Sequence, residues 1–248
     1  MKILAVIPAR YASTRFPGKP LAIIQGKSMI QRVYEQAQKC KALNAVVVAT
    51  DDLRIEQAVK QFNGRVVMTS DSHQSGTERC AEVAADIEDD FDVVINVQGD
   101  EPFIQPGQIA LLANCFMQET TDIATLVKRI TAESELSDPN TVKVVLDEKR
   151  KALYFSRSAI PYQRNIPVEQ WLNSGMYYKH IGIYGYRKNA LEEIVKLPPN
   201  ELEQAESLEQ LRWLANGYRI QTAITELETI SVDTPEDLIR VNQFIMPL

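Results

Sequence analysis

The sequence is poor in the residues from which covalent frameworks and multidentate metal cages are made. Its 248 residues include three cysteines, Cys40, Cys80 and Cys115, far apart and without a C-x-x-C pair. An odd, scattered set excludes a disulfide scaffold and a zinc knuckle, and the three read as small apolar packing residues. Only two histidines occur, His73 and His180. A multi-histidine centre cannot be built from them, so any metal must be held by carboxylates, which favours a hard cation such as Mg²⁺. No run approaches the roughly 18 consecutive apolar residues of a membrane span. The apolar stretch before Pro8 and Arg10 is also too short for the core of a signal peptide. The expectation is a cytoplasmic protein with no membrane partner.

An excess of positive charge is missing too. The chain has 27 Lys and Arg against 33 Asp and Glu, a formal charge of −6. A protein that coats nucleic acid needs a basic face, so nucleic acid is not an expected partner. Any anionic ligand must instead meet a local cluster of cations.

What is present is an alternation. Short β-branched runs at 3–7, 45–50, 65–68 and 92–97 are each followed by an amphipathic stretch, at 28–39, 53–62, 77–87 and 108–117. This βαβα order predicts an α/β fold with a mainly parallel sheet and helices on both faces. Ligands in such folds bind beyond the carboxyl ends of the strands. Later strands are expected at 123–127, 142–146, 152–156 and 181–186, with helices at 205–215 and 235–244. Strand following strand makes the sheet mixed. Residues 160–179, rich in Pro, Tyr, Asn and Gln, read as a long excursion from the sheet. No linker or repeat divides the chain, so one domain over 1–248 is expected.

Directly after the first strand, Arg10, Ser13, Arg15, Gly18 and Lys19 fall within one short loop. Three cations, two hydroxyls (Ser13 and Thr14) and a glycine at the carboxyl end of a strand suit a polyphosphate. The loop is not a Walker motif, because Pro20 stands where the hydroxyl should follow the lysine. The plain alternative is a solvated basic loop stiffened by prolines.

From Ile7-Pro8-Ala9-Arg10-Tyr11-Ala12-Ser13-Thr14-Arg15-Phe16-Pro17-Gly18-Lys19-Pro20-Leu21 onward, the chain resembles the 3-deoxy-manno-octulosonate (Kdo) cytidylyltransferases, or CMP-Kdo synthetases. Six more segments match in order: 73–79 (His-Gln-Ser-Gly-Thr-Glu-Arg), 96–102 (Asn-Val-Gln-Gly-Asp-Glu-Pro), 152–157 (Ala-Leu-Tyr-Phe-Ser-Arg), 180–187 (His-Ile-Gly-Ile-Tyr-Gly-Tyr-Arg), 206–212 (Glu-Ser-Leu-Glu-Gln-Leu-Arg) and 232–238 (Val-Asp-Thr-Pro-Glu-Asp-Leu). The resemblance implies a three-layer, Rossmann-like fold of the nucleotide-diphospho-sugar-transferase type, with 125–187 contributing dimerisation and acceptor binding. It implies a homodimer that activates Kdo with CTP, giving CMP-Kdo and pyrophosphate for lipopolysaccharide biosynthesis. The excursion is expected to supply interface aromatics in Tyr162, Trp171, Tyr177 and Tyr178.

Asp100 lies beyond the apolar run 93–97, where Gly99 admits a close approach. A carboxylate there is placed to hold Mg²⁺ against a triphosphate. Asp233 is its natural partner: Thr234 reads as an N-cap, Pro235 as the first helical residue and Asp237 as the reciprocal capping residue, which leaves the Asp233 carboxylate uncommitted. The resemblance implies the same pair as metal ligands, with Arg10 and Lys19 stabilising charge on pyrophosphate and no protein general base. Asp51 and Asp52 are explained as a helix start.

Ser75-Gly76-Thr77-Glu78 has capping-box spacing. By resemblance Ser75 and Gly76, with Ala9 and Arg79, lie near cytosine. Arg157 is a candidate clamp for the sugar carboxylate. The resemblance adds Gln98, His180, Tyr184, Glu209 and Gln210 as sugar contacts, and Arg15 between sugar and phosphates. Read without it, Glu209 and Gln210 could be the solvent face of a helix, and His180 an edge residue at a strand start. Other acceptors, an amino-substituted Kdo such as 8-amino-Kdo or a sialic acid, stay open. A non-catalytic nucleotide-binding module is the reading from another class. A dinucleotide oxidoreductase is disfavoured because G-x-G-x-x-G is absent after the first strand.

Overall fold

A computed structural model describes residues 1–12 and 16–243 of the chain. These residues gather into two compact units, one drawn from Met1–Ala113 and Glu228–Leu248, the other Asn114–Leu227.

In the first unit, strands β1 (Ile3–Pro8), β2 (Ile23–Ile24), β3 (Lys27–Ser28), β4 (Ala45–Thr50), β5 (Val66–Met68) and β6 (Val93–Asn96) alternate with helices α1 (Met29–Gln38), α2 (Leu53–Gln61), α3 (Gly76–Asp86) and α4 (Pro106–Asn114). Four strands pair in parallel in the order β6-β1-β4-β5. Ile3 to Ile7 of β1 and Val93 to Ile95 of β6 are buried without alternation, as expected of strands covered on both faces. The helix starts follow side-chain chemistry. Ser28, Asp52 and Ser75 accept hydrogen bonds from Gln31, Arg54 and Glu78 amides, respectively, capping α1, α2 and α3. The hairpin β2/β3 turns through Gln25 and Gly26, both at positive φ (45° and 81°), the geometry of a tight turn whose twist matches its strands.

The second unit holds β7 (Ile123–Arg129), β8 (Lys143–Leu146), β9 (Ala152–Ser156), β10 (Tyr178–Arg187) and β11 (Ile220–Ile224), with helices α5 (Glu133–Ser137), α6 (Lys188–Ile194), α7 (Glu201–Glu206) and α8 (Gln210–Ala215). Strand β7 pairs with β11 in parallel and with β10 antiparallel, while β8 joins β10 to β9 antiparallel. The mixture of directions expected from the sequence is therefore present. Between Ile181 and Tyr184 the β10/β7 register shifts, so that Tyr184 faces Thr125 while Ile181 faces Leu126. Gly182 and Ile183 form the bulge.

Helix α9 (Pro235–Gln243) belongs to the first unit. The Asp237 carboxylate accepts from the Thr234 amide at 3.0 Å, and the Thr234 hydroxyl accepts from the Asp237 amide at 3.2 Å. The expected capping box is formed. Val232 and Val241 are packed with Ile24, Met29 and Phe103. Phe244, the expected end of this helix, lies outside the described residues.

Three expectations need correction. The helix anticipated over 205–215 is broken: Ser207 adopts a left-handed conformation (φ 51°) and separates α7 from α8. The physical reason is a side chain, because Arg157 Nε donates to the Glu206 carbonyl at 2.6 Å and takes up the end of α7. The stretch 108–117 starts earlier, at Pro106, and ends in a 3₁₀ turn, Cys115–Met117. In the excursion, Trp171 and Tyr177 stack on each other at 6.0 Å and are buried with Ile130 and Leu136. They fill a small core within the second unit rather than presenting an interface, whereas Tyr162 is 77% exposed. Strand β11, helices α5 and α6 and the β2/β3 hairpin are additions to the expected elements. Cys40 and Cys80 are buried and Cys115 is half-buried, none in a disulfide.

Candidate active site

The carboxyl ends of β1 and β6 open onto a cavity of about 310 Å³ in the first unit. Ala9, Arg10, Lys19, Ser75, Gly76, Arg79, Gln98, Asp100 and Asp233, all singled out in the sequence, line it. Ser13 and Arg15 lie outside the described residues.

Each wall has a local cause. The Ala9 amide donates to the Ala49 carbonyl at 2.9 Å, fixing the chain as it leaves β1. Gly18 donates to the Tyr11 carbonyl at 2.9 Å, while the Arg54 guanidinium lies 3.3 Å from the centre of the Tyr11 ring. Lys19 then enters a 3₁₀ turn, Lys19–Leu21, with Pro20 behind it. On the β6 side, a Cβ on Gly99 would stand 2.8 Å from the Pro8 carbonyl oxygen, so only glycine fits between these two strand ends. Gly76 opens α3, and a Cβ there would stand 3.3 Å from Cγ of the Pro8 ring.

The loop that precedes helix α3 is braced by that helix. Glu82 accepts from the Ser70 amide and pairs with His73 Nε2; Glu78 accepts from the Gln74 amide at 2.7 Å. His73 and Gln74 also line the cavity, and sequence reasoning passed over both. The signal was available, since Glu78 and Glu82 are four residues apart and share a helix face. Arg79 is buried, donates to Thr69 and to the Ser70 carbonyl, and pairs with Asp51 at 3.1 Å. Asp52 is the expected cap, but Asp51 is a counter-ion and not part of the helix start.

At the floor, Lys19 Nζ lies 2.7 Å from Asp100 Oδ2 and 3.2 Å from Asp233 Oδ1. The next residue, Glu101, is buried, and its Oε2 has no hydrogen-bond partner among the described residues. Burial, then the charges of Asp100 and Asp233, push its carboxyl up to about 8. It is therefore neutral near pH 7 and adds no third charge to the pair.

The fit of this pair to a metal rests on its donor set. Among the described residues no group of three or more His, Cys, Asp or Glu could hold one. Two carboxylates converging on one cation, here the Lys19 ammonium, match the hard-oxygen preference of Mg²⁺, which completes its shell from phosphate and water.

The remaining candidates, apart from Gln98, lie in the second unit. His180 Nε2 is 2.9 Å from Thr125 Oγ1, and the same hydroxyl lies 2.7 Å from the Ile183 carbonyl. The bulge has a direct effect here. In a regular strand, residues four apart are about 13 Å apart, yet the His180 and Tyr184 ring centres are 5.0 Å apart. Trp213 meets Tyr184 edge-on at 5.1 Å, and Phe155 meets His180 at 5.4 Å. Burial pulls the His180 imidazole down to about 4. Burial, with the charge of Glu209, pushes the Tyr184 phenol well up; its hydroxyl has no partner among the described residues. Gln210 is buried at the start of α8, so it is not on a solvent face. Glu209 is held by Arg212 at 3.3 Å. His180 is the third residue of β10 rather than its start. Arg157 spends its guanidinium on the carbonyls of Pro139, Glu206 and Ser207, so a bidentate grip on a sugar carboxylate would require those bonds to be released.

Among the described residues no helix is long and apolar enough to cross a membrane. A sequence model of the cytidylyltransferase family matches residues 4–224. A 3-deoxy-manno-octulosonate cytidylyltransferase of Parabacteroides distasonis is 57% identical over 99% of this chain and 98% of its own length. One of the same name from Bacteroides thetaiotaomicron is 58% identical with the same coverage. Among solved structures, a CMP:2-keto-3-deoxy-manno-octonic acid synthetase complexed with CTP aligns over 98% of this chain and 97% of its own, with 46% identity and a TM-score of 0.90. That similarity also bears out the expected α/β class with a mixed, mostly parallel sheet. The chain belongs to the cytidylyltransferase family, within the group of 3-deoxy-manno-octulosonate cytidylyltransferases.

Proposed function

We propose that the chain transfers the cytidylyl group of CTP to 3-deoxy-manno-octulosonate, releasing pyrophosphate and forming CMP-Kdo for lipopolysaccharide biosynthesis. The observation that carries this reading is the meeting, in one cavity of a chain from this family, of Arg10 and Lys19, the start of α3, and the Asp100–Asp233 pair. Arg10 and Lys19 take the charge of the triphosphate and of the departing pyrophosphate, together with Ser13. Ala9, Ser75, Gly76 and Arg79 bind the cytidine, with Arg79 kept in place by Asp51. Asp100 and Asp233 would hold Mg²⁺, which polarises phosphate oxygen and eases loss of the sugar hydroxyl's proton.

The acceptor is assigned to Arg15, Gln98, His180, Tyr184, Glu209 and Gln210, with Arg157 as the candidate clamp for its carboxylate once the bonds to the Pro139, Glu206 and Ser207 carbonyls are released. His180, neutral at pH 7, offers its ring as a hydrogen-bonding partner instead of a charge. The anomeric hydroxyl attacks the α-phosphorus in line, and the work of the protein is positioning and charge stabilisation. We assign 1–248 as one functional domain, with 125–187 serving acceptor binding and dimerisation. The exposed Tyr162, Ile166, Val168 and Met176 supply the apolar surface for a homodimer. We assign the enzyme to the cytoplasm.

The test is pyrophosphate release from CTP, UTP, ATP and GTP in turn, against Kdo, 8-amino-Kdo and a sialic acid, with and without Mg²⁺. Release with CTP, Kdo and Mg²⁺ is expected. Absence of release from every pair overturns the enzyme reading, and faster release with another sugar reassigns the acceptor.

A further inference from the structure

Lys19 has two tasks that one ammonium cannot perform together. The proposed reaction places its charge on the triphosphate, yet in the structure Nζ contacts Asp100 at 2.7 Å and Asp233 at 3.2 Å. The Lys19 side chain is only 15% exposed there, so water screens this contact weakly. Two carboxylates drawn towards one point repel each other unless a cation lies between them. The backbone around Lys19 is fixed: Gly18 sits at φ 73°, Pro20 follows, and the Ala22 amide donates to the Lys19 carbonyl at 3.0 Å. The four-carbon side chain is the part that can swing.

We propose that Lys19 is an exchangeable counter-ion, whose ammonium stands between Asp100 and Asp233 until a nucleoside triphosphate draws it onto phosphate and a divalent cation takes its place. This rests on the reading of Asp100 and Asp233 as the metal pair. The exchange keeps the carboxylates compensated throughout. A divalent cation arriving alone competes with a tethered cation, whereas one arriving with or after the nucleotide does not. The nucleotide therefore raises metal affinity in two ways, by supplying phosphate ligands and by removing a competitor.

The test is Mn²⁺ binding to the full chain, followed by electron paramagnetic resonance, with neither nucleotide nor sugar present. The proteins compared are the unaltered chain, Lys19→Met and Arg10→Met. Lys19→Met is expected to bind Mn²⁺ about tenfold more tightly than the unaltered chain, equivalent to about 1.4 kcal/mol. Arg10→Met removes the same charge from the same cavity but from an exposed side chain, so screening limits its effect to less than about threefold. Thermal unfolding without metal should show Lys19→Met to be folded with a lowered Tm that Mn²⁺ restores; Lys19→Gln replaces it if the Met variant does not fold. Equal affinity in Lys19→Met and the unaltered chain, equal gains in the two variants, or no Mn²⁺ binding by any of them overturns the proposal. Because substrates are absent from this experiment, its failure leaves the transfer reaction to be judged separately by pyrophosphate release.

Discussion

The Val232 amide donates to the Asp100 carbonyl at 2.9 Å. This backbone bond sets Asp233 beside Asp100, and the Thr234–Asp237 capping box then starts α9 without using the Asp233 carboxylate as the cap. The pairing of the two carboxylates is thus a property of the main chain, and Lys19 Nζ stands within reach of both.

Asp100→Asn and Asp233→Asn should each lower turnover by about 100-fold or more at limiting Mg²⁺, because each removes a carboxylate proposed to hold the divalent cation. Pyrophosphate release at graded Mg²⁺ measures this. Near-normal turnover in either variant would sink the metal assignment.

Gly99→Ala forces a methyl group to within 2.8 Å of the Pro8 carbonyl oxygen. The main chain must yield, at a cost of about 1–3 kcal/mol. Urea unfolding is expected to show the loss, and an unchanged midpoint would show that the strand ends separate freely.

Thr125→Val removes the hydroxyl that faces both His180 and the Ile183 carbonyl across the bulge. The buried carbonyl left behind costs about 1–3 kcal/mol. If His180 and Tyr184 bind the acceptor, the KM for Kdo should rise while that for CTP stays constant. Equal rises in both would argue against the acceptor assignment.

Stability should also carry a pH signature from His180. Its imidazole titrates near about 4 in the folded chain against an ordinary value of 6.5. Between those values the unfolded chain binds a proton that the folded chain does not, so stability present above pH 6.5 is lost as pH falls towards 4. The full depression corresponds to about 3 kcal/mol. Urea midpoints at pH 7 and pH 4.5 should differ by less in His180→Gln than in the unaltered chain. An identical difference in both would assign the pH dependence elsewhere.

Much of the first unit is legible in the sequence because its signals are local. Unbroken apolar runs mark β1, β4 and β6, and Ser28, Asp52, Ser75 and Thr234 mark helix starts through side chains that can reach their own amides. Arg10, Lys19, Ser75 and Asp100 are legible because strand ends are where such folds bind ligands. What escapes depends on distant partners. Nothing near Gly182 announces that β10 shifts its register against β7, and this shift is what unites His180 with Tyr184. Ser207 breaks a well-formed helical pattern because Arg157, fifty residues away in sequence, holds the carbonyls at its end. Trp171 and Tyr177 look like interface aromatics in the sequence, since composition cannot tell a small private core from a surface.

The first unit is assembled from two separated stretches of chain, and this has a consequence for synthesis. On the ribosome, Asp100 emerges early, but Asp233 emerges only after the whole of the second unit has been translated. The parallel strands can form while the carboxylate pair is still incomplete. A chain whose translation stops within the second unit lacks Asp233, so under the proposed metal assignment it should be inert rather than partly active.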